Sequence, residues 1–295
     1  MENLYPADYD LAYRYCKEIS IRHYENFPVG SLLIPKEKRK YIYSIYAFAR
    51  FADDIADSGK LSEKDKLKKL NELDNELTKI QTDNLKRLIP DTQNIFIALH
   101  DTISSLKIPT SELRNLLLAF KQDSFKSSYE SYDELLKYSE FSANPVGHLV
   151  LYIFGYSPLK DKEAFEYSDK ICTALQLTNF WQDVSEDLEI NRVYIPDELI
   201  RENNYSAELL YSRTENNDFL KIIKTLADRT KIMFNEVKRI FEFTSGRLRL
   251  ELKATIAGGE EILKKIEDIN YKVLSKKIKI SNLDKIKIFG NIILK

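Results

Sequence analysis

The chain has 295 residues, of which 43% are hydrophobic and 31% charged, and a formal net charge of −1. That length allows one large domain or two of ordinary size, and the composition suits a globular protein with a substantial core. With charge so nearly balanced, and no basic stripe interleaved with aromatics, a nucleic-acid binder working through bulk electrostatics is excluded.

The opening Met1-Glu2-Asn3-Leu4-Tyr5-Pro6 lacks the basic region and apolar core of a signal peptide. Cys16 and Cys172 have no metal-ligand spacing, so a reduced, cytoplasmic protein is expected. Only 8 Gly and 8 Pro punctuate the chain, and helical periodicity dominates over strand-like alternation. The spacing predicts helices over Tyr9–Tyr24, Lys36–Asp57, Ser62–Thr82, Thr92–Leu106 and Ser111–Lys121. Further helices are predicted over Tyr132–Phe154, Asp161–Leu188, Asn217–Phe243 and Arg249–Leu274. Pro35 suits a first helical turn, and Pro109 before Thr110 and Ser111 is a start signal. Ser62–Thr82 is so charged that it reads as an outer cover. The longest apolar stretch, Leu149–Phe154, is far too short to span a bilayer. Lysines alternate with Ile and Leu from Lys264 to Lys295, which reads first as a solvated helix face and second as a patch facing anionic lipid. With no linker or long repeat in view, the expectation is one all-α domain over residues 1–295.

Two acidic clusters carry the chemistry. Asp53 and Asp57 are four residues apart, so a helix stacks them on one face, where like charges repel by a few tenths of a kcal/mol, roughly, in isolation. Their neighbours are Ala, Phe and Ile, and Arg50 shares their face. In the second cluster Asn179, Asp183 and Asp187 repeat every four residues, with Gln176 and Gln182 close by. Leu177, Phe180, Trp181 and Val184 fall on the other face. Either cluster alone reads as an acidic helix surface. Together, on apolar helices, their carboxylate and carboxamide oxygens are the donors Mg²⁺ prefers, with substrate phosphates completing its shell. Loss of diphosphate is the reaction that needs such a metal. The 18 Tyr and 15 Phe supply material for the apolar pocket that reaction requires, although most of them will be core.

Tyr46, Arg50, Asp53, Asp54 and Asp57, followed far along the chain by Gln176, Asn179, Asp183 and Asp187 and then Asn191-Arg192-Val193-Tyr194-Ile195-Pro196, resemble the two signatures of the squalene and phytoene synthase family. Three finer segments are similar to its bacterial hydroxysqualene synthase branch: His23–Val29, Ser142–Gly147 and Leu250–Gly259. The resemblance covers nearly the whole chain. It implies a helical bundle of the isoprenoid synthase type around a central apolar cavity onto which both motifs open. It implies Mg-dependent ionisation of presqualene diphosphate, rearrangement and capture by water to give hydroxysqualene, with two or three Mg²⁺ ions and no NADPH. The alternatives are head-to-head condensation of two farnesyl or geranylgeranyl diphosphates, and a non-catalytic helical partner of a sister synthase.

Carried over by position, Asp53 and Asp57 would hold one or two ions and Asn179, Asp183 and Asp187 another. His23, Tyr24, Glu25, Asn26, Tyr46, Arg50, Gln176, Gln182, Arg192 and Tyr271 would line the diphosphate site, with Tyr138 acting near the leaving group. The departures are Ser128 and Gln182 where the family usually has Arg, Phe141 where some members have Tyr, and His148 where the branch has Arg. Lys121, Lys126 or Arg192 would have to make up the lost cations. The resemblance further implies coupling to a presqualene diphosphate synthase and a flavin-dependent dehydroxylase, and peripheral contact with the inner face of the membrane. His100, His148 and Trp181 read as structural.

Overall fold

The computed structural model describes residues 8–22 and 33–293, and among these the chain is helical with no strand. In chain order the helices are α1 (Tyr9–Arg22), α2 (Arg39–Ala56), α3 (Glu63–Gln81), α4 (Gln93–Leu106) and α5 (Thr110–Asp123). Next come α6 (Tyr132–Ser142), α7 (Asn144–Phe154), α8 (Lys162–Gln182), α9 (Val184–Glu189) and α10 (Asp197–Glu202). The last are α11 (Ala207–Tyr211), α12 (Asn217–Glu236), α13 (Ile240–Phe243), α14 (Gly246–Asp268) and α15 (Asn282–Ile293). Among the described residues no helix is long and apolar enough to cross a membrane.

Three helices read as continuous in the sequence are divided, one of them, Asn217–Phe243, by the 3₁₀ turn Val237–Arg239 between α12 and α13 and the other two at single residues. Of those two, the first breaks at Ala143, between α6 and α7. Pro145 explains this break: it has no N–H to donate, disfavours helical backbone before it, and sits well in a new first turn. The second breaks at Asp183, between α8 and α9, with no Gly or Pro to announce it. Elsewhere start signals hold. Ser62, Ser131, Ser206 and Asn216 each accept a backbone N–H three residues on, capping α3, α6, α11 and α12. Pro35 leads into one turn of 3₁₀-helix, Lys36–Lys38, before α2 begins.

The helices gather into two compact units, Met1–Phe125 with His148–Lys160, and Lys126–Gly147 with Asp161–Lys295. In the first, α2 is the hub and packs against α1, α3, α4 and α5. Ile42, Ile45, Phe48, Ala52 and Ile55 form its core stripe, and Phe48 meets Phe96 of α4 edge-on at 5.9 Å. A buried polar link adds direction to this packing: Ser44 Oγ and Thr102 Oγ1 lie 2.8 Å apart, and the Tyr13 hydroxyl donates to Asp101 at 2.8 Å. α3 is more than a cover. Its charged faces are exposed, but Leu70, Leu73, Leu77 and Ile80 belong to the core, and buried Glu76 accepts the Ile89 N–H at 2.8 Å.

In the second unit α8 is the hub, packed by α6, α12, α13 and α14. Trp181 is fully buried and donates its indole N–H to Thr230 Oγ1 of α12 at 2.9 Å, which fits the structural reading of that residue. α14 approaches closely at Gly259, where an added Cβ would lie 2.5 Å from Phe234 Cζ and 3.0 Å from Leu175 Cδ2. A methyl group there must push a packed ring. Gly259→Ala is expected to cost about 1–3 kcal/mol, as overpacking does, and to lower the melting temperature by roughly 2–4 °C for each kcal/mol. Thermal unfolding followed by circular dichroism measures this; an unchanged midpoint would refute the close approach.

Candidate active site

In the first unit the apolar stripe of α2 turns Tyr46, Arg50, Asp53 and Asp57 onto the opposite side, spaced at helical intervals. Arg50 is held between acids, Nη1 lying 3.2 Å from Asp53 Oδ2 and Nη2 2.5 Å from Asp54 Oδ1. Its Nε is buried and meets no hydrogen-bond partner among the described residues. Burial pushes the Tyr46 hydroxyl above its ordinary pKa, with Arg50 opposing and Asp53 and Asp54 adding to the rise, so this group stays a protonated donor at neutral pH. Asp53 and Asp54 fall in the last turn of α2 and Asp57 caps its end, with no basic residue in that turn. A helix C-terminus already carries partial negative charge, so this placement is electrostatically costly.

The second cluster lies at the boundary between α8 and α9, with Glu186 and Asp187 in the first turn of α9. Asp183 caps the C-terminal end of α8, again with no basic residue in the last turn. Its N–H bonds the Asn179 carbonyl and its carbonyl accepts the Asp187 N–H, both at 2.9 Å. Helical hydrogen bonding therefore carries across the break, and Asn179, Asp183 and Asp187 keep one side. Burial first, and then Glu186, push the Asp183 carboxyl above the usual range. The Gln182 amide, which donates to it at 3.0 Å, together with Lys277 and Lys279, pulls it partly back.

Leu177, Phe180, Trp181 and Val184 are buried on the other side, as their spacing required. Phe180 stacks on Tyr194 with ring centres 3.8 Å apart, and Tyr138, Tyr129 and Tyr194 complete an aromatic cluster. This cluster brings buried Tyr138 to the helix that bears the second motif. Asp187, Arg192 and Tyr194 border a small hollow with Phe180, Val184 and Leu188. Arg192 is delivered there by a left-handed residue, Asn191 at φ +57°, after which the Arg192 N–H bonds the Asp187 carbonyl at 2.8 Å. Asn is among the few non-glycine residues that tolerate this backbone.

Other sequence-derived residues fare differently. His23, Tyr24, Glu25 and Asn26 lie outside the described residues. Tyr271 sits in a left-handed turn at φ +61° with Lys224 Nζ 5.6 Å from its ring centre on α12. Lys277 is a further C-terminal side chain beside the second motif, 2.6 Å from Glu186. Its segment is pinned by Glu215, which accepts the Leu274 N–H at 2.8 Å and the Ser275 hydroxyl at 2.6 Å. Sequence reasoning missed Lys277 because nothing local marks it among many lysines. Of the cations expected to compensate for Ser128 and Gln182, Lys121 pairs with Asp74 and Lys126 with Glu134. His148 pairs with Glu112 at 3.1 Å and His100 with Asp83 at 2.9 Å, both structural contacts.

Among the described residues no three His, Cys, Asp or Glu side chains converge into a ready-made metal cage. The donors nonetheless fit Mg²⁺, which takes one or two carboxylates and leaves the rest of its shell to phosphates and water. Each of the two sets thus offers carboxylate oxygens at a helix boundary, the first beside Arg50. A family model described as squalene/phytoene synthase matches residues 21–284. The chain belongs to that family. It is 32% identical to the hydroxysqualene synthase of Sinorhizobium fredii over 244 residues, 81% of this chain and 78% of that protein. The hydroxysqualene synthase of Rhodopseudomonas palustris is likewise 32% identical over 245 residues, 82% of this chain and 80% of its own length. The crystal structure of the squalene synthase HpnC from Alicyclobacillus acidocaldarius superposes with a TM-score of 0.81 at 31% identity, covering 90% of this chain and 97% of that one. The protein is thus an enzyme of the prenyltransferase type with the all-α isoprenoid synthase fold.

The Asn191 turn can be checked alone. Asn191→Gly should leave stability unchanged or slightly raised, whereas Asn191→Val should cost about 1–2 kcal/mol for forcing a branched side chain into left-handed backbone. Equal urea midpoints for the two variants would contradict the turn.

Proposed function

We propose that the protein is a hydroxysqualene synthase: it ionises presqualene diphosphate, rearranges the cyclopropylcarbinyl cation and captures it with water, releasing hydroxysqualene and diphosphate. The observation that carries this reading is the complete pair of acidic motifs, each at a helix end, in a chain a third identical to proteins of that name over four-fifths of its length. Water supplies the new oxygen and no hydride is added, so the reaction needs no NADPH. The two compact units are proposed to work as one catalytic domain.

In this reading Asp53 and Asp57, and separately Asn179, Asp183 and Asp187, hold two or three Mg²⁺ ions. Bound there, Mg²⁺ supplies Lewis-acid neutralisation of the departing diphosphate. The protein's own groups do the rest. Arg50 and Tyr46 donate hydrogen bonds to phosphate oxygens, as do Gln176, Gln182 and Arg192. Tyr138 offers its hydroxyl near the leaving group from within the aromatic cluster, whose rings exclude stray water. Tyr271 and the segment His23–Asn26 are assigned to the diphosphate side on resemblance alone. A presqualene diphosphate synthase would supply the substrate and a flavin-dependent dehydroxylase would consume the product. The alternative, head-to-head condensation of two farnesyl or geranylgeranyl diphosphates, uses the same ionisation and differs in what traps the cation.

Purified protein with Mg²⁺ and presqualene diphosphate, and no NADPH, should yield hydroxysqualene. Squalene alone, or no consumption of substrate, would reject the assignment, and products formed from farnesyl or geranylgeranyl diphosphate would favour the alternative. Asp53→Asn and Asp183→Asn should each lower turnover by about 10³-fold or more, since metal stabilisation of the leaving group is worth several kcal/mol. Mg²⁺ with inorganic diphosphate should raise the melting temperature of the parent protein by mass action, and much less that of either variant. A rise of equal size in all three would place the ions elsewhere.

A further inference from the structure

Between Ile269 and Lys295 the sequence holds seven lysines and one acid, in a chain whose net charge is −1. The structure shows how that charge is turned. The acid, Asp284, faces inward: it accepts the Ser281 N–H and hydroxyl, each at 2.7 Å, and pairs with Lys265 of α14 at 2.9 Å. Ser281 in turn accepts the Asp284 N–H at 3.2 Å, so a reciprocal cap fixes where α15 begins and which side it lays on α14. The opposite side carries Leu283 and Ile286, 69% and 67% exposed, with Lys285 and Lys287 exposed beside them. Lys276, Lys277 and Lys279 are exposed just before the helix, in a segment anchored by buried Ile278. Of these, Lys277 is engaged with Glu186.

We infer that this face, α15 with the segment Lys276–Lys279, is a docking surface for an anionic phospholipid bilayer. Leu283 and Ile286 enter the interface, and Lys276, Lys279, Lys285 and Lys287 meet the phosphate headgroups. Two aliphatic side chains one turn apart fall far short of the roughly 800 Å² per partner that a stable protein interface buries. A helix with a few apolar anchors among lysines is what an interfacial helix presents to charged lipid. Each lysine near such a surface contributes a factor of about five in partition. Four of them with two shallow anchors give reversible, salt-sensitive binding rather than permanent insertion. The inference rests on this face and not on which substrate the enzyme takes.

The test is co-sedimentation of the full chain with vesicles of phosphatidylcholine alone, or with added phosphatidylglycerol. Binding is expected only to the anionic vesicles and should be lost at about 0.5 M salt, where exposed charges are screened within a few ångströms. Lys285→Glu with Lys287→Glu should weaken partition on the order of 10-fold or more, and Leu283→Asp with Ile286→Asp should remove it, all with unchanged melting temperatures. Lys64→Glu with Lys68→Glu, the same charge change on exposed positions of α3, should leave binding intact. Equal binding to neutral vesicles, equal loss in the α3 variant, or no loss in the α15 variants would overturn the inference. So would α15 variants that turn a dimer into a monomer by light scattering without altering vesicle binding, since the face would then belong to a second copy.

Discussion

Asp53 and Asp54 end α2, where the backbone dipole is already negative, and Asp183 closes α8 at the point where α9 begins. Surface acids usually gather at the other end. Asp183 in addition loses solvation and lies near Glu186, two penalties of the same sign. Arg50 relieves the first site through two contacts, and Lys277 relieves the second indirectly through Glu186. The second remedy is incomplete: the Asp183 carboxyl still sits above its normal range. A divalent cation is the counter-charge that such sites lack, and an anion carrying it adds oxygens that neither site provides by itself.

Such charges hold their places only if their helices are held from the other side. α2 and α8 are the hubs of their units, each packed by four or more neighbours, and their buried stripes are aromatic and branched. Directional bonds sharpen the packing. Ser44 meets Thr102 behind the first motif, and Trp181 donates to Thr230 behind the second. Gly259 lets α14 come within contact of α8 and α12 where any side chain would hold it off. Burial thus supplies the stability, while a few polar contacts decide which face of each helix is presented.

Much of this was legible in the sequence for a simple reason: both motifs are local. Asp53 with Asp57, and Asn179 with Asp183 and Asp187, are related by helical spacing, so their shared faces follow from periodicity alone. Failures occur where periodicity carries no information. Pro145 divides Tyr132–Phe154, a signal that a long apolar run conceals. The break at Asp183 has no sequence mark, neither Gly nor Pro, and the hydrogen bonds run on across it. Lys277 reaches Glu186 only because Glu215 pins Leu274 and Ser275, a chain of contacts between segments far apart in sequence. The lysine-rich stretch read correctly as exposed, yet its direction depended on Asp284 turning inward.

The departures from the family pattern gain a physical sense from these contacts. Ser128 and Gln182 stand where cations are usual, and the sequence offers Lys121 and Lys126 as substitutes. Both are committed, to Asp74 and Glu134. Gln182 instead gives an amide hydrogen bond to Asp183, which steadies the carboxylate without adding charge. The positive charge that does act on Asp183 comes from Lys277 and Lys279 of the C-terminal segment. The positive charge near this carboxylate therefore comes from a different element of the fold. It ties the second motif to the segment that runs into α15, so whatever displaces that segment will be felt at the carboxylate.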